Sequence, residues 1–483
     1  MQQTIFDDPE IALLLAGTLC RRSSLDIPDS PMGVGFECLD RKLFLPEKCY
    51  DLMGESGVKH ARCQTGWSRC ETVRGVYDFT WLDEVVDNLL QRGIEPWFNL
   101  GFGNILYMSD VPHKSAVGFV PTAYGPECVE AWCRYVRTLA RHFKSRVHHF
   151  EIWNEPDLEL FWQPEKPSGK RYAEFIRLTA PQIRKEIPSA KIGGCSGGYW
   201  VDQQIPGFRF LDDALREGMG KEIDFFAIHS YGKLPELGFS HTTDVLQEMF
   251  REYAPHVELW QGECGYPSTT YGHSDSGWGI VNATEDAQAR FVCRRAVLDL
   301  SCGYRLSSYF HMADLMENSY RVSSGKPRKP VMLGLLHGKT YIPKAAYQAF
   351  CSMCAILDSR TKPRPLTAVP HSPFDTLLSG ALPSLGLEIH TFERNGYPLY
   401  TYYFAEDLER VFFGDKRFGL LTMHQTENRI SSPVLMDPLA GNVYRMETRM
   451  TNRDGYLYFE HLPLTNYPLF LTDEQAFLWR EVK

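Results

Sequence analysis

Long apolar runs are missing from this chain of 483 residues. The one early candidate, Ile11 to Cys20, is too short to span a bilayer. Its flanks also oppose a secretory leader, since Asp7, Asp8 and Glu10 precede it and Arg21 and Arg22 follow. The expectation is a cytoplasmic protein with no membrane partner. Positive charge is not in surplus: a formal net charge of -9 leaves no basic patch, which excludes nucleic acid as the expected partner. The 13 cysteines are odd in number and scattered, so they read as buried thiols in a reducing compartment rather than a disulfide framework. Their one close pair, Cys351 and Cys354, has no second pair or histidine nearby and predicts no metal site. Asn282-Ala283-Thr284 is a glycosylation sequon by letter only in a cytosolic chain. With no phosphate loop, ligand cluster or heptad pattern, no cofactor is expected.

What is present is an ordinary globular composition, 43% hydrophobic and 23% charged, in a chain too long for one usual core. Three parts are expected. Residues 1–31 are an extension packed on another part of the molecule, 32–358 form the larger domain, and 359–483 form a smaller one. From Met32 onward, strand and helix alternate. Strand candidates begin at Met32, Val58, Ile94, Val147, Lys191, Ile223, His256 and Leu306. Between them, Leu82, Val85, Val86 and Leu89 recur at helical spacing, as do Trp132, Tyr135, Val136, Leu139 and Phe143. About eight such units predict an α/β fold, a (β/α)8 TIM barrel, with an open doubly wound sheet as the alternative. Past Arg360 the texture changes to Pro-rich loops and short strands. Leu387 to Phe392 alternates, turns at Asn395-Gly396 and resumes at Leu399 to Phe404, which reads as a hairpin. Asn442 to Met446 and Tyr456 to Leu462, with the Asp454-Gly455 turn, suggest another. An antiparallel β-sandwich is expected there, with Tyr400, Tyr402 and Tyr403 in its core and sheet face rather than as a sugar platform.

Two of the barrel strands end in glutamate. The run His149 to Asp157 is apolar and β-prone until it breaks at Asn154-Glu155-Pro156, which puts Glu155 at a cleft mouth beside Trp153 and Phe150. Partial desolvation there lifts a carboxyl pKa and suits it to general acid work. Glu258 to Glu263 is a second apolar strand ending in a carboxylate. Two carboxylates on one barrel mouth are the minimum for breaking a glycosidic bond through an oxocarbenium-like transition state.

The stretch Phe150-Glu151-Ile152-Trp153-Asn154-Glu155-Pro156-Asp157, continuing to Phe161-Trp162, resembles the acid/base strand of clan A glycoside hydrolases, most of all family 39, the β-xylosidase and α-iduronidase group. The resemblance implies that Glu263 is the nucleophile and Glu155 the acid/base of a retaining double displacement. It also implies that Arg62 pairs with the nucleophile, that Asn154 bonds the sugar 2-hydroxyl, and that His229 and Tyr231 stand beside the nucleophile. The nucleophile strand departs from the family's Thr-Glu-Trp pattern, reading Leu259-Trp260-Gln261-Gly262-Glu263-Cys264-Gly265. Other substrate-binding candidates are Asn104 after the third strand, Trp67, Trp162 and Trp278 as stacking platforms, and His311 with Asp314 at the eighth strand.

The expected function is a retaining exo-glycosidase acting on short oligosaccharides or glycosides, with a carbohydrate as its partner and a homo-oligomer left open. Two other readings compete. Gly194-Cys195-Ser196-Gly197-Gly198 spells a G-x-S-x-G nucleophile elbow, but no helix clearly opens after it, so a serine esterase is disfavoured. A non-catalytic carbohydrate-binding barrel is disfavoured by the retention of both glutamates.

Overall fold

Eight parallel strands close on themselves in sequence order in the computed structural model, which describes residues 6, 13–197, 206–269, 280–316, 330–371, 386–409, 418–424 and 429–482. An earlier strand, β1 (Leu14–Leu19), lies outside this barrel. The staves are β2 (Met32–Gly35), β3 (His60–Gln64), β4 (Glu95–Leu100), β5 (His149–Ile152), β6 (Lys191–Ser196), β7 (Phe225–His229), β8 (Glu258–Cys264) and β9 (Leu306–Tyr309). Because β2 pairs with both β3 and β9, the sheet has no edges, which rules out the open doubly wound alternative. Strands covered on both faces carry near-continuous apolar residues, and every residue of β7 and β9 is buried. The helix Thr80–Gln91 turns Leu82, Val85, Val86 and Leu89 inward, and Gly125–Phe143 does the same with Trp132, Tyr135, Val136, Leu139 and Phe143, as their spacing predicts.

The lower half of the barrel is plugged. Trp97, Phe225, Trp260 and Leu306 form a separate apolar cluster with Cys195 and Ala227, and the Phe225 and Trp260 rings stack with centroids 3.9 Å apart. Gly193 makes room for this plug, since a Cβ there would stand 2.1 Å from the Phe225 ring. With that end filled, functional groups belong at the opposite, C-terminal mouth.

The remaining strands form two antiparallel sheets, completing the barrel-plus-sandwich fold. They are β10 (Thr361–Pro363), β11 (Ala368–His371), β12 (Leu387–Arg394), β13 (Tyr397–Phe404), β14 (Phe418–His424), β15 (Pro433–Asp437), β16 (Asn442–Arg445), β17 (Met450–Arg453), β18 (Tyr456–Pro463), β19 (Leu469–Asp473) and β20 (Trp479–Glu481). One sheet runs β10-β12-β13-β19-β15-β16-β1-β20 and the other β11-β14-β18-β17. The β12–β13 hairpin turns at Asn395 and Gly396, both at positive φ, as expected of that dipeptide. The second expected hairpin needs correction. Tyr456–Pro463 pairs with Met450–Arg453 and β14, while Asn442–Arg445 pairs with β15 and β1 in the other sheet. The true partner, Met-Thr-Asn-Arg, is polar and exposed along most of its length, so it shows no alternation to find.

Tyr400 and Tyr402 fill the space between the two sheets with Leu435, Leu457, Phe459 and Leu471. On the larger sheet's other side, Phe392, Leu399, Val434, Met436 and Phe470 join the same apolar cluster as the barrel. The helix Glu285–Ser301 packs against β12 and against the helix Ala345–Ile356, and both are buried nearly all round. Among the described residues no helix is long and apolar enough to cross a membrane. All 13 cysteines are free thiols.

Candidate active site

Strand geometry delivers four barrel staves to one cluster of charge. Beyond β5, Trp153 and Glu155 both adopt positive φ, at 72° and 44°. Such backbone costs about 1–3 kcal/mol per residue and persists only where its surroundings hold it. The Trp153 ring supplies that hold: it is buried, packs on Trp132, Trp162 and Phe175, and donates from Nε1 to the Phe161 carbonyl at 2.6 Å. The kinked chain leaves the Glu155 carboxylate facing β7. At the end of β7, His229 Nδ1 lies 2.8 Å from Glu155 Oε1 and 3.6 Å from Glu263 Oε1. Glu263 owes its direction to an irregularity in β8, whose register slips against both neighbours between Gln261 and Cys264. A bulge of this kind re-aims a side chain. Closest oxygens of Glu155 and Glu263 lie within 4.8 Å of each other.

Arg62 stands beneath them, fully buried on β3. Its guanidinium bonds Glu263, donates from Nη1 to Glu37 Oε1 at 2.9 Å, from Nε to Glu151 Oε2 at 3.1 Å, and from Nη2 to Asn154 Oδ1 at 2.8 Å. Asn99 adds a 2.8 Å bond to Glu151 Oε1. One guanidinium thus faces three carboxylates, more negative charge than it can balance. Burial raises Glu37 to about 8 against the pull of Arg62, so it holds its proton at neutral pH.

The two outer carboxylates are driven in opposite directions. Burial raises Glu155 above the ordinary range, more than the hydrogen bond and charge of His229 lower it. For Glu263 burial also pushes upward, but His229, Arg62 and the Tyr231 hydroxyl, which donates to Oε2 at 2.9 Å, outweigh it and hold the carboxylate below its usual value. Tyr231 is raised well above the phenol range by burial and by Glu263, so it remains a donor. Burial works against a charge on His229, yet Glu263 and Glu155 together raise it. The Glu155 and Glu263 side chains keep 12% and 10% of their surface exposed, whereas Arg62 and Glu151 keep none, so of these four the first two can meet a ligand.

The sequence-derived candidates divide here. Glu155, Glu263, Arg62, Asn154, His229 and Tyr231 come together in one hydrogen-bonded cluster. Others do not. Trp67 and Trp162 are fully buried, with Trp67 Nε1 bonded to Glu71 and its ring stacked on Tyr107 and Tyr135, so neither can offer a face to a sugar. Asn104 spends its amide on the Glu71 carbonyl and the Leu106 N–H, closing its own loop. His311 is buried edge-on against Phe44, bonded to Ala313 and lowered to about 4 by burial, and sits behind Glu37 rather than in the opening. Asp314 is a buried partner of Lys344 at 2.6 Å. Trp278 lies outside the described residues.

Ser196 is buried and gives its hydroxyl to Asp157 at 2.7 Å, so the elbow motif displays no nucleophile. Glu37 and Glu151 join the site without any expectation from sequence. Glu151 sits four residues before Glu155, inside an apolar strand, and a charge in that setting was the available signal. Among the described residues, two groups have metal-like spacing, Glu155-His229-Glu263 and Glu151-Cys195-His229. In each, Arg62 already occupies a carboxylate and its charge opposes a second cation.

Residues 53–319 match the model of glycosyl hydrolases family 39. The chain is 26% identical over 332 residues to a β-xylosidase of Caldicellulosiruptor saccharolyticus, covering 63% of this chain and 62% of that one. It is also 26% identical over 171 residues to a β-xylosidase of Geobacillus stearothermophilus, covering 32% of this chain and 31% of that one. The aligned regions therefore span less than two thirds of either relative's length. Among solved structures, a family 39 glycoside hydrolase from Bacteroides cellulosilyticus WH2 superposes with a TM-score of 0.65 at 18% identity, over 92% of this chain and 81% of that one, a likeness of fold.

Proposed function

The chain belongs to glycosyl hydrolase family 39, and from that membership we propose that it is a retaining exo-glycosidase of short glycosides, with β-xylosides the first substrates to test. The observation that carries the reading is the pair Glu155 and Glu263, one oxygen of each lying within 4.8 Å of the other beside His229 Nδ1, while their proton affinities are pushed apart. Retaining enzymes keep their carboxyl groups about 5–5.5 Å apart, and inverting ones hold them about 6.5–9.5 Å apart to admit a water. Glu263, kept anionic, attacks the anomeric carbon. Glu155, kept neutral, gives its proton to the leaving oxygen, and both bonds change in one step. In the second step Glu155, now a carboxylate, takes a proton from water as that water displaces Glu263 from the sugar.

The neighbours have matching roles. Arg62 stabilises the carboxylate form of Glu263 and, by engaging Asn154 Oδ1, leaves the Asn154 amide hydrogens to meet a sugar 2-hydroxyl. Tyr231 orients Glu263. His229 bonds Glu155 and can steady either of its protonation states. The β-xyloside choice rests on the two curated relatives. The test is a screen of nitrophenyl glycosides with the first-formed anomer followed by proton NMR. The reading expects retention, and expects Glu155→Gln and Glu263→Gln to lose about 10²-fold or more in kcat. An inverted product would overturn the mechanism, and no turnover of any glycoside would favour a binding protein.

A further inference from the structure

Two loops leave the mouth of the barrel beside the proposed nucleophile. One follows β7, carries Tyr231 and runs to the helix beginning at Phe239; the other follows β8 and is described at residues 265–269 and at 280–284, where it enters the helix Glu285–Ser301. Neither is held by the barrel alone. On the first, Lys233 forms an ion pair with Asp407 at 2.8 Å and another with Glu409, and Glu236 accepts from the Tyr403 hydroxyl at 2.9 Å. Arg294 joins that second contact, donating from Nε to Glu236 and from Nη1 to the Glu406 carbonyl, each at 2.7 Å. On the second loop, the backbone N–H groups of Val281 and Asn282 both donate to Glu409 Oε1.

Residues 403–409 belong to the end of β13 and the chain just after it, that is, to the sandwich. Glu409 is the hinge point of these contacts. One of its oxygens takes the N–H groups of Val281 and Asn282 ahead of the helix Glu285–Ser301, the other takes the ammonium of the loop bearing Tyr231, and its side chain is only 5% exposed. Asp407 accepts from the Glu409 backbone N–H at 3.0 Å and so fixes the presenting turn. A carboxylate that is nearly buried and fully used in bridging two loops of another sheet system does more than fill surface.

We propose that Glu409, with Lys233 as its partner, is a positioning residue of the active site, through which the sandwich sets the place of the Tyr231 loop against the chain that enters the helix Glu285–Ser301. The proposal rests on the catalytic reading of Glu263 above. Its physical content is that a displacement of about 1 Å at Tyr231 weakens the bond that holds Glu263 anionic, and misplacement on that scale can cost about 10²-fold in rate.

The test compares the full-length protein with Glu409→Gln and Lys233→Met. The first readout is hydrogen exchange of amides in residues 230–238 and 280–284, which needs no turnover. The expected result is faster exchange in both segments for Glu409→Gln and in the first for Lys233→Met, with the barrel strands unchanged. The second readout is the pH dependence of kcat/KM. The expected result is an acid limb moved to higher pH, a fall in kcat of about tenfold with KM little changed, and no further move when Glu409→Gln is added to Tyr231→Phe. Lys233→Arg is expected to restore both readouts. Unchanged exchange in the two segments overturns the proposal whatever the activity. So does loosened exchange accompanied by an unmoved acid limb. If the wild-type protein turns over no glycoside, the catalytic reading fails and the exchange result alone judges the clasp.

Discussion

At the scale of single residues, the site turns on how few cations serve many acids. Arg62 is the common partner of Glu37, Glu151 and Glu263. Its replacement by Met leaves these buried carboxylates without their shared cation, which costs about 3–5 kcal/mol in comparable sites. A fall in unfolding free energy of that order, read from denaturant unfolding, is expected, with activity lost as Glu263 takes up a proton. Tyr231→Phe removes one hydrogen bond to a charged group, worth about 1.5–3 kcal/mol. That bond lowers Glu263, so its loss is expected to raise the acid limb of kcat/KM by about one pH unit or more. Glu37 makes a prediction about stability. Its folded pKa is raised to about 8, so its contribution is fullest below the ordinary carboxyl value and is lost as pH rises toward 8. Melting temperatures measured from pH 5 to pH 8 should therefore decline more in the wild-type protein than in Glu37→Gln. Equal slopes would show that Glu37 does not carry a proton.

At the scale of elements, the strand ends and the plug divide the barrel between chemistry and packing. Gly193 of β6 has a packing reason that its sequence context does not show. The Phe225 ring fills the place of its missing side chain and cannot retreat, being stacked on Trp260. Gly193→Ala is expected to cost about 1–3 kcal/mol by overpacking, with thermal melting as the check. The elements most legible in sequence were those whose pattern is local. The helix Thr80–Gln91 announced itself by four apolar positions, the β12–β13 hairpin by Asn395-Gly396, and β5 by an apolar run that breaks at Asn154. What stayed hidden was relational. Nothing local says that Met450–Arg453 pairs with β18, or that Trp67 and Trp162 are swallowed by packing while Glu155 is not. Glu37 was invisible as a site residue for the same reason, since its meaning comes from Arg62, 25 residues away in sequence.

At the scale of the molecule, the barrel and the sandwich share an apolar core and are tied by further polar contacts. Arg394 of β12 donates from Nη1 to Asp358 at 2.6 Å, and Arg22 reaches the same carboxylate at 3.2 Å. The first strand of the chain, β1, lies between β16 and β20 in the larger sheet, so the chain enters the sandwich before it builds the barrel. Calorimetry is expected to record one unfolding transition for the whole protein, and a chain cut to residues 32–358 is expected to be insoluble through exposure of that shared core. Two separable transitions would contradict this. The central claim is chemical, that Glu263 attacks the sugar while Glu155 supplies the proton. The most direct measurement is intact-mass and peptide mapping after incubation with an activated 2-deoxy-2-fluoro glycoside, whose slow second step lets a covalent glycosyl ester accumulate. The account predicts one sugar attached to the peptide containing Glu263 and none in Glu263→Gln. Attachment at another residue, or the same adduct in Glu263→Gln, would contradict it.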